Sequence, residues 1–232
     1  MPTAWLDGCR AAHRRLDALL GALTDDQVSA PTALEGWTLG HLLTHLARNA
    51  DALVGVTRAA GRGEYVQMYP GGPAQRDGDI KAGATRPMAD LVADLRRSVG
   101  ELESAWEDTT SETWATGLGG RKQGPTTIAD FVALRWREVE VHLPDLHLPG
   151  PEAPSWETLS PAYVDEEWRR LLPGLGTRLP REVTVVLVPG DRPSTAHGSG
   201  PETVVLRERS GAIMRWLFGR GAPDSWPALG PW

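Results

Sequence analysis

Between residues 3 and 23 apolar side chains recur three and four apart: Leu6, Cys9, Leu16, Leu19, Leu20 and Leu23, with His13 on the same stripe. That spacing belongs to a helix with one face turned to a core. The stretch PTALEGWT (31–38) breaks the pattern with a proline and a glycine. Thr38 is placed to cap a second helix, which runs to about Ala60 with Leu42, Leu46, Leu53 and Val56 on one stripe. Residues 61–86 are rich in Gly and Pro and predict a long loop, a kind of segment that commonly carries function. Met88, Leu91, Leu95, Val99, Leu102 and Trp106 define a third helix. TTSETWATGLGGRKQ predicts an inter-helix loop with a short extended piece. A fourth helix is expected from Pro125, a residue suited to a first turn, to Leu143, with Pro144 stopping it.

Pro149, Pro151 and Pro154 crowd the stretch HLPGPEAPSW and mark a domain boundary, with domains at 1–150 and 151–232. Beyond it the pattern predicts a helix at about 157–172. A strand, Glu182–Val188, follows and is ended by Pro189-Gly190. A second strand is expected at Glu202–Arg207, then an amphipathic helix, Ser210–Phe218, closed by Gly219. The expected fold class is α+β: an N-terminal four-helix bundle followed by a small C-terminal α/β domain.

Composition narrows the function classes. With 232 residues the chain can bury a sizeable core. A net charge of −6 and scattered arginines exclude the basic footprint of a nucleic-acid binder. The single cysteine, Cys9, rules out an internal disulfide, and its place on the apolar stripe reads as structural. No apolar run reaches the roughly 20 residues of a membrane span. The N-terminus lacks a basic-then-apolar leader pattern, so a cytoplasmic protein is expected, working as a monomer. Lys81 and Lys122 are the only lysines among 24 basic residues, a bias typical of GC-rich coding.

The candidate chemistry lies on the second and fourth helices. In TIADFVALRWREVEVHL the inward stripe is Ile128, Phe131/Val132, Arg135, Glu138 and His142: apolar first, then charged. Buried ionised groups are normally paired or bound to a metal. Glu138 and His142, four apart, share one face. In GHLLTHLARNAD, His45 sits on the stripe of Leu42, Leu46 and Leu53, with His41 one turn earlier as an ambiguous extra ligand. Facing helices that each send such groups inward are how bundle-core metal sites are built. A His-His-Glu set with an open fourth position is a catalytic zinc pattern. His13, His147 and His197 have no partner pattern and are expected at the surface.

GWTLGHLLTHLARNADAL, followed much later by RWREVEVHLPDL, resembles the mycothiol-dependent maleylpyruvate isomerases of the wider DinB-like metal-binding bundle superfamily. The resemblance spans essentially the whole chain, through FGRGAPD (218–224). It implies that His45, Glu138 and His142 hold a divalent metal, zinc or another, and that His41 is not a ligand. It implies catalytic and cosubstrate-binding roles for Arg220, in the Gly-Arg-Gly turn, and for Arg76 in PAQRDGDI. It also implies the thiol cosubstrate mycothiol, a small cytosolic thiol of high-GC bacteria. The implied reaction is cis–trans isomerisation of maleylpyruvate to fumarylpyruvate by reversible thiolate addition. The two arginines would hold the substrate carboxylates through their planar forks. Two other readings stand beside it: a DinB-like mycothiol S-transferase acting on another electrophile, and a non-catalytic metal-binding protein. A lipid-carrier role for the C-terminal unit is disfavoured by its short length.

Overall fold

The structure, a computed structural model, describes residues 1–231. It divides into two compact units, Met1–Pro149 and Gly150–Trp232. The class is α+β, with long helices in the first unit and a three-stranded sheet in the second.

In the first unit, helices α1 (Thr3–Leu20), α2 (Leu39–Gly61), α4 (Met88–Glu107) and α6 (Ile128–Asp145) pack as a bundle, α2 against α4 and α6, and α1 against α6 and α4. Their inward faces are the predicted stripes: Leu6, Cys9 and Leu16 on α1, Leu42, Leu46 and Leu53 on α2, Leu91, Leu95 and Leu102 on α4, and Phe131 and Val132 on α6, all buried. Thr38 caps α2, accepting the His41 amide.

Five local predictions are corrected. The segment 61–86 contains a helix, α3 (Gly72–Gly83), which buries only Ile80. With one inward residue it has no apolar stripe for a periodicity argument to find. Between α4 and α6 lie a short helix, α5 (Ser111–Thr116), and an antiparallel hairpin, β1 (Leu118–Arg121) and β2 (Gly124–Thr127). Pro125 therefore belongs to a strand, and α6 starts later, at Ile128, where the Thr127 hydroxyl accepts the Asp130 amide at 3.0 Å. The helix also passes Pro144 and ends at Asp145. Finally, α1 stops at Leu20, three residues early.

The hairpin lies close on the bundle because β1 carries two glycines. A Cβ on Gly119 would sit 2.2 Å from Val56 Cγ1, and one on Gly120 would meet the Gln67 amide at 2.3 Å. Backbone bonds tie Gly120 to the preceding loop, with Gly120 N–H on Val66 O at 2.8 Å and Met68 N–H on Gly120 O at 2.9 Å.

In the second unit, α7 (Pro161–Arg178) precedes a sheet of order β4-β3-β5, with β3 (Val183–Leu187) central. It pairs antiparallel with β4 (Thr195–Gly198), a strand the sequence pattern did not mark, and parallel with β5 (Glu202–Leu206). Val183, Val185 and Leu187 alternate inward. Helix α8 (Ser210–Leu217) ends in a Schellman turn: Arg220 N–H bonds Arg215 O, Gly219 N–H bonds Trp216 O, and Gly219 takes φ +67°. The Arg215 guanidinium folds back on Arg220 O at 2.8 Å. No helix among the described residues is long and apolar enough to cross a membrane.

Candidate metal centre

Helices α2 and α6 bring His45, Glu138 and His142 together, with one potential ligand atom from each lying within 4.8 Å of the others. Glu138 Oε2 is the hub, 2.9 Å from His45 Nε2 and 3.6 Å from His142 Nε2. The imidazoles are nearly perpendicular, 5.1 Å between centroids, and Trp37 meets the His45 ring edge-on. Both histidines are buried, while the Glu138 side chain is a third exposed and opens to a cavity.

Each side chain has a partner that sets its orientation. The buried Asp145 carboxylate lies 2.8 Å from His142 Nδ1, so Nδ1–H donates to it and Nε2 faces Glu138. A carboxylate behind a histidine is the usual support for an imidazole ligand. Burial depresses the His142 pKa, but Asp145 and Glu138 outweigh it and hold it above the usual histidine value. For His45 burial wins over Glu138, and the pKa is lowered. Burial opposes ionisation of Glu138, yet the adjoining His142 and His45 imidazoles keep its carboxyl well below the usual range. A carboxylate between two imidazole nitrogens is a donor set that fits a zinc-sized cation.

Arg76 on α3 reaches the same point: its Nη2 is 3.1 Å from His45 Nδ1, its Nη1 bonds Asp77, and its guanidinium lies over the Tyr69 ring. A guanidinium only donates, so this bond requires a bare Nδ1 and puts the His45 proton on Nε2, toward Glu138. An ion on Nε2 requires the other tautomer, with Nδ1 protonated, so the Arg76 contact and His45 ligation exclude each other.

The cavity has a volume of about 990 Å³ and belongs wholly to the first unit. Trp37, Leu53, Met68, Phe131 and Leu134 give it apolar walls, and Arg121 and Lys122 of the hairpin line it as well. Asn49 and Arg135 are also part of its lining.

The remaining histidines and the thiol are placed as follows. His41 belongs to the α2 cap, its Nδ1 2.8 Å from Thr38 Oγ1. His13, expected at the surface, is instead buried: its ring bonds Glu103 at 2.7 Å and accepts from Arg135 Nε at 3.1 Å. Its partners sit on α4 and α6, too distant in sequence for a local pattern to reveal. His147 is exposed, and His197 is partly so. Burial pushes the Cys9 thiol far above its ordinary range, consistent with an inert core residue. Sequence reasoning missed Asp145, although its place three residues after His142 was a usable signal. It also missed the hairpin cations. Arg220 lies in the second unit, its backbone fixed by the Schellman turn and its Nη1 on Phe218 O.

A helical bundle with a His-His-Glu cluster opening to a large cavity defines a class of metal-competent bundle proteins. Residues 9–147 match the profile of the mycothiol maleylpyruvate isomerase N-terminal domain, and the chain belongs to this family. Two solved structures share the fold at 24% identity. The mycothiol-dependent maleylpyruvate isomerase superposes with a TM-score of 0.84, covering 99% of this chain and 92% of that one. A histidine-to-alanine variant of that enzyme gives 0.83, with 95% and 90% covered. Uncharacterized proteins from two strains of Mycobacterium tuberculosis are 34% identical over 104 residues, 44% of this chain. The match spans 40% of the length of those relatives.

Proposed function

We propose that the protein is a zinc- and mycothiol-dependent cis–trans isomerase whose substrate is a small unsaturated dicarboxylate, maleylpyruvate going to fumarylpyruvate. The observation that carries the reading is the convergence of His45, Glu138 and His142 on one point of a ligand-sized cavity. These three residues would hold the metal, and zinc bound there supplies a Lewis-acid centre that favours the thiolate form of a thiol at neutral pH. In the proposed reaction the mycothiol sulfur adds to the cis double bond, the carbon–carbon bond turns, and the sulfur leaves unchanged.

The chain's own residues position and shield. Asp145 fixes the His142 tautomer and keeps its Nε2 on Glu138. Arg76, once His45 takes the Nδ1–H tautomer, is released to grip a substrate carboxylate from beside the Tyr69 ring. The apolar wall of Trp37, Leu53 and Phe131 keeps water from the reacting carbons. Arg220 is proposed as the second carboxylate partner, presented by a rigid turn. With Cys9 buried and inert, the thiol must come from outside the chain.

One observation favours a second reading, a mycothiol S-transferase. The cavity walls at Trp37, Leu53, Met68, Phe131 and Leu134 are apolar, which suits an electrophile less polar than a dicarboxylate. The ultraviolet spectrum of maleylpyruvate incubated with protein, zinc and mycothiol separates the two. Isomerase activity gives fumarylpyruvate with all thiol recovered. A stoichiometric thiol adduct indicates the transferase, and an unchanged spectrum removes maleylpyruvate as the substrate.

A further inference from the structure

Arg135 is fully buried in the first unit, as Asp145 is, and among the described residues no carboxylate hydrogen-bonds or ion-pairs with it. Its side chain is fully enclosed on α6, one turn before Glu138. Its hydrogen bonds go to neutral acceptors. Nε donates to His13 Nε2 at 3.1 Å, and Nη1 donates to Leu46 O and to Asn49 Oδ1, both at 2.9 Å. Because His13 accepts from Arg135 through Nε2, its proton lies on Nδ1, where it meets Glu103. His13 is thus a neutral spacer between the guanidinium and the nearest carboxylate on that side, and burial lowers its pKa to about 4. Nη2 is buried and has no hydrogen-bond partner among the described residues.

A guanidinium cannot shed its proton to escape this situation. A buried cation without a counter-ion and with an idle donor is costly, and such groups persist where they meet a ligand. Arg135 lines the metal-site cavity beside Asn49 and Glu138. With Nε committed to α1 and Nη1 to α2, Nη2 is the nitrogen left with a donor to spend, and a ligand meets it where a small shift of the enclosing side chains uncovers it. Glu138, the closest charge of opposite sign on its own helix, is itself engaged by His45 and His142.

We propose that Arg135 is an anion-binding residue in the inner wall of the cavity, its Nη2 taking a carboxylate oxygen of the ligand, while Asn49 and His13 hold the guanidinium in place. This deepens the isomerase reading by giving the substrate a carboxylate anchor inside the bundle, in addition to Arg76 on α3. It rests on that reading only for the choice of a carboxylate. The design favours a ligand with one acid group held deep by Arg135 and another toward Arg76, which Arg220 would share under the proposed function, the apolar segment between them lying along Leu53 and Phe131.

The test uses the full zinc-loaded chain without thiol, and succinate, a dicarboxylate with no double bond to react. Titration is followed on the Arg135 side-chain nitrogen resonances by NMR, with neutral succinamide as the control. The expected result is a saturable shift with succinate and none with succinamide. In Arg135→Lys, succinate affinity should fall by about tenfold or more while zinc content and helical circular dichroism stay at wild-type levels. If that variant does not fold, the wild-type resonances decide alone. Arg135 resonances that stay fixed at saturating succinate overturn the proposal. So does binding that survives Arg135→Lys and disappears in Arg76→Gln. A normal succinate response with no isomerisation of any thiol-loaded substrate sinks the isomerase reading and leaves this one standing.

Discussion

At the residue scale, His41 and His45 are one turn apart with different work. His45→Ala should abolish stoichiometric zinc binding, measured by metal analysis after dialysis. His41→Ala should keep zinc and lose only cap stability, about 1 kcal/mol by urea denaturation. Zinc lost equally in both variants would contradict the assignment. Sequence spacing placed His45, Glu138 and His142 on inward faces because each follows its helix's apolar stripe. It could not separate His41 from the ligands, since the Thr38 contact that occupies His41 depends on cap geometry. His13 lay on the stripe of α1 by the same spacing but was expected at the surface for want of a partner pattern, and it carries a pH consequence. The unfolded chain protonates His13 below about pH 6.5, whereas burial against Arg135 and Arg10, opposed by Glu103, holds the folded value at about 4. The unfolded state therefore binds more protons in this window. The contribution is full above pH 6.5 and is lost as pH falls toward 4, by about 3 kcal/mol. His13→Gln can bond both Glu103 and Arg135 without titrating, so its stability should fall less steeply over that range. An identical slope in both proteins would refute the assignment.

At the element scale, the four bundle helices were legible because each buries a stripe at helical spacing, as Leu42, Leu46 and Leu53 do on α2. Helix α3 was not, because Ile80 is its sole inward residue and its placement comes from tertiary contacts. The hairpin was legible only as a short extended piece, for a related reason. Leu118 to Thr127 has little β-branched or aromatic character, and its glycines read as loop when they permit close approach to α2 and α6. Gly119→Ala tests this. Its Cβ would press on Val56 and Phe131 inside packed structure, and the expected cost is about 1–3 kcal/mol. Chemical denaturation should register the loss while zinc binding, which uses other elements, persists. Stability equal to wild type would show that the hairpin sits more loosely than this.

At the scale of the whole molecule, the proposed chemistry divides between a first unit that would hold the metal beside its cavity and a second that would contribute Arg220. Arg220→Ala should lower kcat/KM by about a hundredfold or more with zinc content unchanged, and Arg220→Lys should recover little, since an ammonium cannot replace a planar fork. Full activity in Arg220→Ala would remove the second unit from the chemistry. The chain Arg76–His45–Glu138–His142–Asp145 has a further consequence. Every candidate ligand in it has a protein partner, and the bundle around it buries an extensive apolar core. Zinc fingers, by contrast, draw their folding energy from the ion. Here a chelator should strip activity and leave the fold: EDTA-treated protein keeps its helical circular dichroism and a cooperative melt, and added zinc restores turnover without refolding. Loss of helicity on chelation would show that the ion holds the bundle together. Survival of the fold would make the metal a replaceable part, one that the cell can withhold or exchange while the protein waits intact.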